Sequence, residues 1–209
     1  MQYKIILALL LMGVMTSCSS LNFWSNESDE DFTTPAKLLP FTSDYLIDIA
    51  WKKSFKGSNN LGAFKPAFYS GQMIVADSSG NIISFNPKNG AVNWQKTLER
   101  NLAAGVSAGF GRLVVSDING FVIALDIESQ EILWEQNIGG EVLARAIVDA
   151  ALVVAKNSVG ELVALDGMTG EKKWTFRSQL PALTVRGTGD PIIKDGIVFS
   201  TFDNGRLGA

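Results

Sequence analysis

Histidine is absent from the 209 residues, and cysteine occurs once, at Cys18. An intramolecular disulfide is therefore impossible, and zinc sites built on Cys and His are excluded. His-based general acid–base chemistry goes with them, and so do the Ser-His-Asp and Cys-His nucleophile systems. Charge is sparse: Asp, Glu, Lys and Arg make up 19%, with 18 basic against 21 acidic residues and a net charge of −3. No basic surplus exists to neutralise phosphates, so no nucleic-acid partner is expected. Proline is scarce, at 6 residues against 20 glycines, while 46% of the chain is hydrophobic. That balance excludes a disordered or collagenous chain and fits a strand-rich protein turned by glycine.

A long hydrophobic run is also missing. The N-terminal one, residues 5–15, follows a single positive charge at Lys4 and gives way to Thr16-Ser17-Cys18. It is too short for a comfortable membrane span and has the order of a secretory signal, expected over residues 1–17. Residues 18–46 are polar and carry an acidic cluster (Glu27, Asp29, Glu30, Asp31) without sustained periodicity. They read as a flexible tether, and the cluster as a solvated linker rather than a metal site.

What is present in abundance is a repeat. The segments 80–94, 120–134 and 160–174 align without gaps, with Gly80, Gly120 and Gly160 forty residues apart and Trp94, Trp134 and Trp174 likewise. Each glycine is preceded by an apolar run closed by a polar residue, such as M-I-V-A-D or V-V-A-K-N. Trp51 stands 43 residues before Trp94 as an isolated copy, and Gly205 opens a fourth unit. The second unit predicts strands near 112–117, 121–126 and 131–137, with 143–148 supplying the first strand of the next unit. Four short strands per unit of about forty residues is the arithmetic of a β-propeller blade, whereas a β-sandwich needs no such fixed recurrence. The fold class expected is therefore all-β, a propeller of four-stranded blades. Residues 47–209 should hold an outer strand around Trp51, three blades and part of a fourth. The fourth copy stops at Ala209, in register with Ala124 and Ala164, so an N-terminal fragment of a longer chain is expected.

The motif A-L-D-x-x-T-G-x-x-x-W at 164–174 resembles the tryptophan-docking motif of the quinoprotein-type, or PQQ-like, propellers. That resemblance implies that Trp51, Trp94, Trp134 and Trp174 are structural and pack blade to blade. An indole suits the task, since it buries a large apolar face and still offers an N–H to a carbonyl. The second copy departs from the motif, with Ser129-Gln130 in place of Thr-Gly. The boundary at Cys18 resembles a bacterial lipobox, with Met15 where Leu is usual; it implies diacylglycerol and an N-acyl chain such as palmitate on Cys18. Several chains at ~0.8 kcal/mol per buried CH₂ would hold firmly. Ser19 in place of Asp points to the outer membrane.

Lipobox, tether and docking blades together resemble the BamB family of outer-membrane assembly lipoproteins. The repeat stretches to 45 residues between Gly160 and Gly205, and the extra length holds S-Q-L-P-A-L-T-V-R-G-T-G-D-P at 178–191. The family carries a similar L-x-L-R-G element, so the resemblance implies that Leu183, Val185 and Arg186 contact the POTRA domains of BamA. Val185 stands where Leu is common. Gly187 and Gly189 are expected to give the backbone freedom there. Read without the family, Leu183 and Val185 could alternate into a blade core, with Arg186 on the surface. The implied role is a non-enzymatic scaffold on the periplasmic face of the outer membrane. It would have no catalytic residue, metal or cofactor, and its partners would be BamA, other Bam subunits and unfolded outer-membrane proteins. The alternative is a membrane-tethered PQQ-dependent dehydrogenase. Such an enzyme needs carboxylate and amide ligands for Ca²⁺, while Asp77, Asp117, Asp126 and Asp166 fall at turns where Asx chemistry accounts for them. A third reading, a peptidoglycan- or sugar-binding propeller, has no aromatic cluster outside the repeats to support it.

Overall fold

A computed structural model of the chain describes residues 35, 37–40, 45, 48–54, 63–182, 187 and 189–209. The chain divides into two units, Met1–Ile47 and Asp48–Ala209, and the strands among the described residues belong to the second. The strands are β1 (Ala63–Phe64), β2 (Ala67–Tyr69), β3 (Gln72–Ala76), β4 (Asn81–Phe85) and β5 (Val92–Thr97). They continue with β6 (Leu102–Gly109), β7 (Arg112–Asp117), β8 (Phe121–Asp126), β9 (Ile132–Asn137) and β10 (Ile147–Val148). The last six are β11 (Leu152–Lys156), β12 (Glu161–Asp166), β13 (Lys172–Arg177), β14 (Ile192–Lys194), β15 (Ile197–Thr201) and β16 (Leu207–Gly208). Up-and-down antiparallel pairing gives the sheets β2-β3-β4-β5, β6-β7-β8-β9 and β10-β11-β12-β13, then the three-stranded β14-β15-β16. The fold is a PQQ-like β-propeller arrangement of blades.

The repeat has a physical basis in each blade. The register shifts at Ser84/Phe85, Ala124/Leu125 and Ala164/Leu165, at the same step of the third strand. The shift sets Ser84, Ala124 and Ala164 opposite Trp94, Trp134 and Trp174, so each indole crosses a small neighbour. Gly120 has φ +88°, and a Cβ there would come within 2.4 Å of the Gly140 carbonyl oxygen. The Gly120 carbonyl in turn accepts from the Ile138 N–H at 2.9 Å, so the glycine lies flat against the chain leaving the blade.

The middle strands are apolar at consecutive positions because blades stack on both of their faces. Leu113 and Val115 point to the core shared with the first blade, while Val114 points to the core shared with the third. In the same way Val163 and Leu165 face the second blade, and Leu162 and Ala164 face the fourth.

Two expectations about strands need correction. Among the described residues 48–54, which include Trp51, none lies in a strand. A short strand forms later instead, where β1 runs parallel to β6 with Ala63 opposite Ala104 and Phe64 opposite Gly105. The strand expected over 143–148 shrinks to the two residues of β10, although Leu143, Ala144 and Ala146 are buried. The reason is a contact distant in sequence: the Arg145 N–H donates to the Asp190 carboxylate at 2.9 Å, which removes it from the ladder.

Candidate functional site

Two tryptophans lie against the β-turn of the following blade. The Trp51 indole N–H donates to the Pro87 carbonyl at 2.8 Å, and that of Trp134 donates to the Gly167 carbonyl at 3.1 Å. Each ring covers a glycine of that turn: a Cβ at Gly90 or Gly170 would lie 2.7 Å from Cδ2 of Trp51 or Trp134 respectively. The turns are built by their acidic or amide residue. Asp166 Oδ1 accepts from the N–H groups of Met168 at 2.9 Å and Thr169 at 3.0 Å, and Asn86 Oδ1 accepts from Lys88.

Trp94 behaves differently from the uniform docking expected of it. Its N–H donates within its own blade, to Oε1 of Gln72 at 3.1 Å. The carbonyl in register with Pro87 and Gly167 belongs to Ile127, and there the side-chain amide of Gln130 donates to it at 3.1 Å. Gln130 stands where the other two turns have glycine and shares their left-handed backbone, at φ 59°. Its side-chain amide fills the hydrogen-bond position that an indole N–H takes at Pro87 and Gly167, while Trp94 still packs against the core shared by the first and second blades. Trp174 is 37% exposed, not buried, and lines a groove of about 400 Å³ with Phe176, Val198 and Phe202.

The repeated carboxylates are spent on their own turns. Asp77 Oδ1 accepts from Ser79 and Asn81 N–H groups, and Asp117 Oδ1 accepts from Asn119 and Phe121. Hydrogen bonds from the Ser129 backbone and hydroxyl, with a further one from Glu128, hold Asp126 below the usual carboxylate range. Among the described residues no group of three or more His, Cys, Asp or Glu side chains could hold a metal ion.

The connection from β13 to β14 spans fourteen residues, 178–191, against four between β5 and β6 and nine between β9 and β10. Its described ends are fixed by polar contacts. At the start, Nδ2 of Asn204 donates to Ser178 Oγ at 3.0 Å and to the Gln179 carbonyl at 2.8 Å. Near the end, the Gly187 N–H donates to Asp203 Oδ2 at 3.4 Å. A Cβ at Gly187 would sit 2.1 Å from Asp203 Oδ1, and one at Gly189 would sit 2.8 Å from Thr201 Oγ1. Both glycines lie close to side chains of the β15–β16 hairpin, so a Cβ at either would require Asp203 or Thr201 to move. Beneath the segment, buried Lys156 donates to the Thr201 carbonyl at 3.0 Å. Burial pushes its pKa down, against the opposing pull of Asp203 and Asp190.

The family model described as "Outer membrane protein assembly factor BamB" matches residues 48–104 and 78–209. The chain belongs to the BamB family. The BamB of Kangiella koreensis is 42% identical over 184 residues, covering 87% of this chain and 47% of that protein. The BamB of Nitrosomonas eutropha is 29% identical over 211 residues, covering 97% of this chain and 51% of its own. The crystal structure of BamB from Moraxella catarrhalis superposes with a TM-score of 0.63 at 25% identity, over 68% of this chain and 44% of that one. The chain thus spans about half the length of the curated BamB relatives it matches.

The residues singled out by likeness to BamB, namely Cys18, Leu183, Val185 and Arg186, all lie outside the described residues. What the structure adds is how the described ends of the 178–191 connection are held, by Asn204 at Ser178 and Gln179, by Asp203 at Gly187, and by Arg145 and Lys65 at Asp190. Sequence reasoning passed over these residues. One signal was legible: Arg145 is a lone cation inside the apolar stretch 142–148.

Proposed function

We propose that the protein is a non-catalytic scaffold of the outer-membrane protein assembly complex, which docks on the POTRA domains of BamA through residues 183–186. In this reading Cys18 carries the lipid anchor in the outer membrane, and the blades stand at its periplasmic face. Other Bam subunits and unfolded outer-membrane proteins would then lie within reach. The observation that carries the reading is the 178–191 connection, the longest between described blades, tied at both described ends while its carrier blades belong to the BamB family. An edge of this kind can set apolar anchors, Leu183 and Val185, against a partner while Arg186 makes a forked contact with a carboxylate.

Binding of the protein to immobilised POTRA domains tests this directly. Leu183→Ala and Arg186→Ala should each weaken binding about tenfold, as truncation of an interface anchor does. Arg186→Glu should weaken it further, since it sets like charges together. Wild-type binding by all three variants would reduce the segment to a connector.

A further inference from the structure

Arg112 opens β7 of the second blade, is 3% exposed, and reaches into the third blade. Its Nη2 donates to the Asp149 carbonyl at 2.9 Å and to the Ala150 carbonyl at 2.8 Å, both in the turn between β10 and β11. The turn between β12 and β13 lies against the same group, since a Cβ at Gly167 would come within 3.1 Å of Arg112 Cζ. Among the described residues no carboxylate pairs with this buried cation, and its Nε has no hydrogen-bond partner. A buried charge met by neutral acceptors alone, with one donor unmet, gains from any stronger acceptor brought to it.

Nη1 ends on sulfur: it donates to Sδ of Met168 at 3.0 Å. A thioether is a weak acceptor. The Met168 backbone is held by its N–H bond to Asp166, yet the residue is 71% exposed. Past Cys18 the 209 residues carry sulfur only at Met73 and Met168, and Met73 is half-buried in β3. Oxidation follows exposure, so Met168 is the sulfur that a peroxide meets first.

We infer that Met168 is a reversible oxidation site whose sulfoxide is taken by Arg112, so that oxidation tightens the seam between the second and third blades. The co-reactant is a hydroperoxide, in the simplest case hydrogen peroxide. A sulfur lone pair attacks one peroxide oxygen, the S–O bond forms as the O–O bond breaks, and the proton on the transferred oxygen leaves with the departing hydroxide as water. Sulfur loses two electrons and the peroxide gains them. Two thiols of a methionine sulfoxide reductase reverse the step, ending as a disulfide and water. Methionine oxidation commonly disrupts a structure, because a polar S=O replaces an apolar group in a core. Here the sign is reversed. The side chain is already exposed, and the new oxygen meets a cation short of acceptors, in a charge-assisted hydrogen bond.

The test treats the folded, full-length protein with hydrogen peroxide and follows each methionine by mass spectrometry. Met168 should oxidise about tenfold faster than Met73. The melting midpoint should rise by about 2–4 °C relative to Met168→Leu carried through the same treatment, and reductase should return it. Untreated Met168→Gln should melt above Met168→Leu by a similar margin, since its amide oxygen stands as many bonds from Cα as the sulfoxide oxygen. In an Arg112→Gln background the rise on oxidation should vanish. If that variant does not fold, the contrast between Gln and Leu at 168 decides alone. Oxidation of Met168 no faster than of Met73 overturns the proposal. So does a midpoint that stays level or falls once Met168 is oxidised, a rise that persists without Arg112, or Met168→Gln melting no higher than Met168→Leu.

Discussion

A single side chain decides whether a tryptophan locks two blades. Trp134 is 8% exposed and bonded to the next turn, whereas Trp94 is half-buried and bonded to Gln72 of its own blade. At the turn facing Trp94, Gln130 donates to the Ile127 carbonyl, the counterpart of the carbonyls that accept from Trp51 and Trp134. Trp134→Ala should therefore cost ~3–5 kcal/mol in urea unfolding, the range for a large buried aromatic. Trp94→Ala should cost clearly less, because fewer of its contacts are lost on truncation. Equal losses at both positions would mean that the seam between the first and second blades is locked as firmly as the next. The repeat made Trp51, Trp94, Trp134 and Trp174 visible, and Gln130 stood out in the alignment as a broken motif. Its effect could not be read there, since the substituting amide reaches a carbonyl that only the folded turn presents.

Elements follow the repeat where hydrogen bonding is local and depart from it where distant side chains intervene. The hairpins and their turns came through because glycine and Asx residues at fixed spacing specify them within a few positions. The loss of most of the strand at 143–148 was not legible, since it depends on Asp190, 45 residues away from Arg145. Asp190 also meets Lys65 across 125 residues, beyond any periodicity. The same contrast between local and distant causes separates two glycines with nearly equal φ. Gly111, at φ +76°, has open space around a Cβ, while at Gly170, φ +75°, the added atom would meet the Trp134 ring at 2.7 Å. Gly111→Ala should cost only the left-handed penalty of ~1–2 kcal/mol. Gly170→Ala should cost that and much of the Trp134 dock, and its loss should not add to that of Trp134→Ala. Strict additivity in the double variant would show that the ring and the turn are uncoupled.

Across the whole molecule, apolar clusters join neighbouring blades while carboxylates bind the turns and connections to them. Several of these carboxylates titrate below their ordinary range. Burial alone would raise Asp190, but the hydrogen bonds from Lys65 and Arg145 outweigh it and hold the group low. Glu161 is lowered chiefly by Arg177 and then by Asn157, and Asp166 chiefly by Lys173 with the Thr169 and Met168 N–H groups. A folded-state value below the unfolded one means that the charged form is favoured by folding. The resulting stability is complete above the unfolded carboxylate range, about pH 4, and is lost as pH falls through the lower folded values. The melting midpoint should thus stay level from about pH 8 to about pH 5 and drop below about pH 4. Asp190→Asn sharpens the expectation, because a protonated Asp190 resembles Asn in charge. The variant should melt below the wild type at neutral pH, and the gap should narrow as the pH falls past the carboxylate range. A gap that stays constant down to about pH 3 would show that the charge of Asp190, as distinct from its shape, contributes nothing to holding the blades together.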